Sequence, residues 1–403
     1  MTIQQSAGNG MRPLGEKSRM HVLDALRGFS ILGILLVNLF YLSGYKYFSP
    51  ESFGSAELDE KVLFYVNFLA LGKFYSLFSF LFGLGFAIQL DRTSQKGLPF
   101  LPLYFRRLGV LFVIGLLHTL VWQGDILTVY SLAAILLIPF KKANNKTILG
   151  FSVALLISPA FLELAMNQLS INPGQSLYSL GHRIKQSWDL PTSSTIVTEG
   201  GLYTYLLAKV PDTLLRYAEI LSGSRFPKLW GMFLLGLYFG RNNLFADIKK
   251  NAKVFKFLLL FGGLGGLVFT YFYFMFSWPA GSENLHFFKT LARSLGEHPL
   301  ALGYMAGFSL LYAKKQAVLD WMAPAGRMAL TNYLMQSIIS VLFFYNIGLG
   351  LGPVGPAYYV PFAFVFFLFQ VLYSHWWLKF FKYGPVEYLW RSCIYGKLQR
   401  FRK

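Results

Sequence analysis

The chain has 403 residues, 55% hydrophobic and only 14% charged, with 41 Phe, 24 Tyr and a formal net charge of +19. A soluble domain carries about 25% charged residues, so this composition argues against an ordinary soluble protein. The basic residues sit in short loops beside apolar runs, which argues against nucleic acid as a partner and for anionic lipid headgroups.

In chain order, residues 1–20 are polar and rich in glycine and read as a cytoplasmic arm. The run Leu26–Tyr45 reads as a retained first span, not a cleaved signal. An acidic loop with Glu51, Glu57, Asp59 and Glu60 follows, then a second span, Phe68–Leu90. A third begins after Arg106 and Arg107 and ends near Trp122; only Gln123 and Gly124 separate it from a fourth, Ile126–Phe140, and a fifth covers Ile148–Leu164. These five spans make a region at 21–165. Residues 166–225 read as an extracytoplasmic loop, in which Leu202–Leu221 has apolar residues at helical spacing broken by charges, as in an interfacial amphipathic segment. Five further spans, at 226–240, 257–277, 299–313, 325–345 and 357–378, make a second region at 226–380, followed by a basic cytoplasmic tail at 381–403. Each run is near the ~20 residues needed to cross a bilayer. The expected fold is an all-α, polytopic bundle of about ten transmembrane helices.

Charge orients that bundle. The first residues, the loops at 91–107, 141–146, 241–256 and 314–327, and the tail hold 26 Lys and Arg against 6 Asp and Glu, whereas the remaining residues hold 11 against 12. The positive-inside rule then places both termini in the cytoplasm. The single Cys393 can form no intrachain disulfide.

Polar side chains inside spans cost about 2.5–3.5 kcal/mol each, so they are the candidate functional residues. The tight hairpin brings His118 near Asp125, and a histidine held by a carboxylate can act as a general base. Lys73 lies in the outer half of the second span, where it either snorkels or makes a salt bridge or anion contact in an interior cavity. Toward the inner side, Asp24 and Arg27 share one helical face, with Asn38 further along. Arg327 heads a stripe with Thr331, Asn332 and Gln336, and Glu387 lies four residues from Arg391. Arginine forks match phosphate geometry, so Arg27, Arg327 and Arg391 are candidates for donor or anion binding, against the plainer reading of ion pairs that bind helices together. The six His are scattered, there is no HExxH and one Cys, so no metal site is expected. No GxSxG elbow is present either.

The blocks Arg19–Gly28, Arg107–His118, Gly124–Tyr130, Gly326–Tyr333 and Gly384–Arg391 together resemble the YeiB-like bacterial membrane proteins, whose second half is a domain of unknown function. At greater distance the pattern is similar to the transmembrane acyltransferases. That likeness implies a location in the bacterial inner membrane, a cytosolic acyl-CoA as donor, an envelope lipid or glycan as acceptor, and His118 as the residue assisting transfer. Transport of a small molecule or lipid, and a structural or regulatory role, are the alternatives.

Overall fold

A computed structural model describes residues 20–276 and 283–403, without the side chains of residues 283 and 284. The arm expected at 1–20 lies outside the described residues but for Met20. Lipid offers no partner for backbone N–H and C=O groups, so apolar segments must close their hydrogen bonds internally. Accordingly the described residues form helices and turns; an isolated antiparallel bridge joins Phe381 to Arg402.

The first region contains α1 (His21–Leu42), α2 (Ala56–Leu69), α3 (Lys73–Gln95), α4 (Phe100–Thr119), α5 (Leu127–Ala133) and α6 (Asn145–Gln168). The expected loop at 166–225 is itself largely helical, with α7 (Gln175–Ser187), α8 (Ser193–Thr198) and α9 (Leu202–Ser222). Then come α10 (Arg225–Arg241), α11 (Ala252–Phe257), a π-helical turn at Leu258–Leu264, α12 (Gly265–Met275) and α13 (Glu283–Lys314). The chain closes with α14 (Gln316–Asp320), α15 (Ala323–Arg327), α16 (Ala329–Phe344), α17 (Pro356–Phe380) and α18 (Pro385–Tyr395).

Among the described residues, six helical stretches are long and apolar enough to cross a membrane: His21–Tyr47, Ala56–Gln95, Phe100–Thr119, Asn145–Gln168, Ala252–Met275 and Pro356–Phe380. Four expected spans differ from their sequence outlines for identifiable reasons. The second breaks at residues 70–72, because Gly72 adopts φ +82° and the Glu297 carboxyl stands 2.2 Å from where a Cβ would be. Lys73 therefore opens α3. The fourth is α-helical only to Ala133 and tightens into 3₁₀ turns around Pro139. The eighth, expected at 299–313, is the second half of the 32-residue α13, whose first half carries Arg293, Glu297 and His298. The ninth is interrupted at Met328, between α15 and α16.

Packing places α1 between α15, α16 and α17 on one flank and α3 and α13 on the other, while α3 lies along α10. Gly236 sits against the Phe80 carbonyl and Gly240 against Ala87 and Leu84, so α3 and α10 run parallel and in step. Small residues at such contacts let backbones approach where lipid supplies little drive for association. Leu26, Phe80 and Met232 belong to the core that joins α1, α3 and α10.

Candidate functional site

Backbone contact between α1 and α15 fixes the first pair of candidates. A Cβ on Gly326 would lie 1.8 Å from the Asp24 carbonyl oxygen, and one on Gly28 would lie 2.3 Å from that of Met322. This contact brings the segments carrying Arg27 and Arg327 together, and both residues line one cavity. Arg27 Nη1 also donates to Asp24 Oδ1 at 2.7 Å, and that carboxylate is buried.

The cavity has a volume of about 610 Å³, within the usual range for ligand pockets. Arg27, Arg92, Arg107, Arg327 and Arg391 line it, together with Asp24 and Glu387. Ile34, Leu111, Ile126 and Tyr333 continue its wall one to two helical turns further along. Of the anion-binding candidates, all three arginines meet here.

Arg107 was not among them, although it belongs to the same wall. Its Nη1 donates to Gln89 Oε1 at 2.7 Å, and its guanidinium lies 5.3 Å from the rings of both Phe82 and Trp390. The available signal was its spacing: Leu103, Arg107 and Leu111 fall on one helical face, and both leucines are buried, whereas Arg106 is exposed.

Glu387 has a definite task. Its Oε1 accepts from the N–H groups of Leu330 (2.7 Å) and Thr331 (3.0 Å), and its Oε2 from Thr331 Oγ1 (2.5 Å). It thus caps the N-terminus of α16 from α18, satisfying donors that the break at Met328 leaves open. Asn332 lies behind the wall, donating to the Ala325 carbonyl and to Ser374 Oγ, both at 3.0 Å, so it ties α15 and α17 to α16. Asn38 is half-buried and away from the cavity. Lys73 is at the opposite end of α3.

The expected hairpin pair is formed. His118 Nδ1 and Asp125 Oδ1 are 2.9 Å apart and both side chains are buried. Asp125 Oδ2 accepts from Thr128 N (2.8 Å) and Thr128 Oγ1 (2.9 Å). A carboxylate can only accept, so the imidazole proton lies on Nδ1 and Nε2 carries the lone pair. That Nε2 is buried and has no hydrogen-bond partner among the described residues. The His118 ring centroid is 5.2 Å from that of Tyr333, a cavity residue whose hydroxyl accepts from Ile126 N–H. His118 itself stands behind this tyrosine and does not line the cavity.

Three further residues complete the hairpin from α9. Tyr217 donates to Thr128 Oγ1 at 2.6 Å, extending the chain His118–Asp125–Thr128. Lys209 Nζ donates to Gln123 Oε1 at 3.0 Å and lies 3.7 Å from Asp212 Oδ2. Tyr205 donates to the Val121 carbonyl. The amphipathic helix is therefore anchored on the turn that carries the His–Asp pair. No group of three or more His, Cys, Asp or Glu converges among the described residues.

Residues 239–397 match the family described as "Protein of unknown function (DUF418)". The chain is 33% identical to the uncharacterized protein YxaH of Bacillus subtilis (strain 168), over 98% of this chain and 99% of the relative. It is 28% identical to an uncharacterized 39.9 kDa protein in the amylase 3' region of Bacillus acidopullulyticus, over 96% of this chain and 97% of the relative. It is 27% identical to the uncharacterized protein YeiB of Escherichia coli (strain K12), over 92% and 94% respectively. No solved structure matches the chain. With near-complete coverage of these bacterial relatives and the DUF418 match in its second half, the chain belongs to the YeiB-like family.

Proposed function

We propose that this protein is a transmembrane acyltransferase that draws an acyl group from an acyl-CoA-like donor in the basic cavity and delivers it to a lipid or glycan of the cell envelope. The observation that carries this reading is the cavity's polarity. Guanidinium groups in its lining suit phosphates, and the apolar side chains of the same lining suit an acyl or pantetheine-like chain. The wall ends at Tyr333, against which His118 packs.

In this reading His118 Nε2 takes the proton from an acceptor hydroxyl as its oxygen bonds to the thioester carbonyl carbon. Collapse of the tetrahedral intermediate breaks the carbon–sulfur bond, and the leaving thiolate recovers the proton from the imidazolium. Asp125 holds the ring in the required tautomer and stabilises its charged form. The membrane assigned is the bacterial cytoplasmic membrane, with both termini and the cavity mouth inside. The ten-span arrangement adds the shorter helices at 127–137, 225–241, 299–313 and 329–344 to the six long ones. Cysteines placed at positions 95, 143, 247 and 400 should then label from inside, and at 50, 190 and 350 from outside.

Calorimetric titration of purified protein with acetyl-CoA and longer acyl-CoAs tests the donor site. Saturable binding that Arg327→Ala weakens about tenfold supports it; folded protein with no saturable binding at millimolar donor refutes it. Transport is the second reading, favoured by the helix breaks at residues 70–72 and 328, since transporters place their sites at discontinuous helices. Uptake of labelled substrate into proteoliposomes, without any acylated product, would select it.

A further inference from the structure

The end of α3 remote from the basic cavity holds a second concentration of charge. Lys73 and Lys228 are both buried, and the parallel run of α3 beside α10 brings them level. Arg293 on α13 and Arg225 at the start of α10 stand within electrostatic range of them and reach closer to the surface. These four account for more than a third of the eleven Lys and Arg that lie outside the basic loop set.

Their counter-charges fall short. Glu297 is held by Arg293 (Nε–Oε1 2.8 Å) and lies against Gly72. Glu163, the other carboxylate nearby, accepts from Thr290 Oγ1 at 2.7 Å and lies 3.2 Å from His286 Nε2. Lys73 Nζ donates to the Asn67 carbonyl at 3.3 Å and lies 5.9 Å from the centre of the Phe274 ring, and Lys228 and Arg225 make no hydrogen bond or close ion pair among the described residues. Four cations thus face two carboxylates, and leaving buried charge uncompensated costs several kcal/mol per ion.

Neutral polar groups are also unsatisfied. Thr270 Oγ1, which lines a recess with Lys73, and the Oγ atoms of Ser224 and Ser294, the chain neighbours of Arg225 and Arg293, are buried without a hydrogen-bond partner among the described residues. Such orphan groups are uncommon in folded proteins and call for an explanation. A recess of about 10 Å³ between Lys73, Thr270, Arg293 and Glu297 has room for a single oxygen atom. Ser76 and His298, joined Oγ to Nδ1 at 2.9 Å, brace α3 against α13 beneath it.

We propose that the ends of α3, α10 and α13 bind a phosphate-bearing ligand, with Lys73, Arg225, Lys228 and Arg293 as its cationic contacts and the neighbouring hydroxyls as neutral donors. One phosphate oxygen enters the recess, and the rest of the ligand stays at the surface beside Arg225 and Arg293. The ligand is either a phospholipid headgroup or a soluble phosphate ester. This site is separate from the basic cavity, and its existence does not depend on acyl transfer.

The test uses the full chain purified in a neutral detergent, and separately in nanodiscs of phosphatidylcholine with or without phosphatidylglycerol. Thermal midpoints are measured with inorganic phosphate against chloride at equal ionic strength. A rise with phosphate that Lys228→Met weakens about tenfold or more in apparent affinity, and that the exposed-site control Lys249→Met leaves intact, supports the site. A rise with phosphatidylglycerol alone, equally sensitive to Lys228→Met, identifies a lipid headgroup; a rise with phosphate alone identifies a soluble ester. Should Lys228→Met fail to fold, Lys73→Met and Lys228→Arg serve in its place, the first weakening the response and the second retaining it. Absence of a response in both arms, or a response that none of these substitutions alters, overturns the proposal.

Discussion

The two ends of α3 solve the same electrostatic problem in opposite ways. Around its C-terminal half, arginines line an open volume of about 610 Å³, and Arg107 is sandwiched between Phe82 and Trp390 with Gln89 as partner. Around its N-terminus, Lys73 and Lys228 are buried, Lys73 against a recess of about 10 Å³ in which the Thr270 hydroxyl is left unsatisfied among the described residues. The difference follows from side-chain chemistry: a guanidinium stacks on aromatic faces and tolerates partial desolvation, whereas an ammonium is compact and strongly hydrated and needs a close counter-ion. The first end therefore encloses a volume on the scale of a sizeable ligand, and the second a recess on the scale of one atom.

The largest expected effect breaks the comparison at the level of chemistry. Since the His–Asp pair adjoins only the cavity, His118→Ala should lower turnover of an acyl-CoA donor by about 10²–10⁴-fold. The protein should stay folded and the phosphate response at the lysine end should persist. Loss of the folded protein together with activity would assign His118 to the hairpin's stability instead.

Next comes the contact that brings the segments carrying Arg27 and Arg327 together. Gly326→Val forces side-chain carbon into the Asp24 carbonyl and should destabilise the protein by about 3 kcal/mol or more, read by thermal or denaturant unfolding in detergent. A neutral result would mean that α15 can move away from α1, and that the lining of the cavity is adaptable. Binding then separates the two ends directly. Arg327→Ala should weaken acyl-CoA binding about tenfold and leave the phosphate response unchanged; Lys228→Met should do the reverse. Any substitution that lowered both would show that the ends are coupled through α3.

Legibility in the sequence followed the range of the interaction. Apolar runs and loop charge outlined most helices, because insertion in lipid depends on summed local hydrophobicity. The His118–Asp125 contact was equally accessible, since a two-residue turn determines it. By contrast, the first half of α13 was hidden, because Arg293, Glu297 and His298 look unsuited to a helix packed in the bundle until their partners on α3 and α10 are known. The break at Gly72 depends on Glu297, more than two hundred residues away in sequence. Glu387 was paired by spacing with Arg391, yet the structure shows its oxygens on the N-terminus of α16, a long-range cap that no local pattern announces.

A smaller effect is expected on the relay that reaches the hairpin from α9. Tyr217→Phe removes the hydroxyl that donates to Thr128 Oγ1, leaving Thr128 to bond Asp125 alone. One neutral hydrogen bond is worth about 0.5–1.5 kcal/mol, so turnover should fall only a few-fold, with donor affinity unchanged. An equal change in affinity would place Tyr217 in contact with the donor.

The smallest prediction concerns Lys209, which clamps α9 to Gln123 of the same hairpin. Burial brings its ammonium down to about 8 from the ordinary lysine value of about 10.5, with the carboxylate of Asp212 opposing the change. Between those values the unfolded chain binds more protons than the folded one, so stability should rise as pH increases from about 8 to about 10.5. As pH falls through about 8 that gain is lost, because both states are then charged and the folded state bears the cost of burying the ammonium. Thermal midpoints of the wild type across this window should therefore slope upward, and Lys209→Met should flatten the slope. An unchanged slope in the variant would assign the pH dependence to other groups and leave Lys209 charged in its ion pair with Asp212.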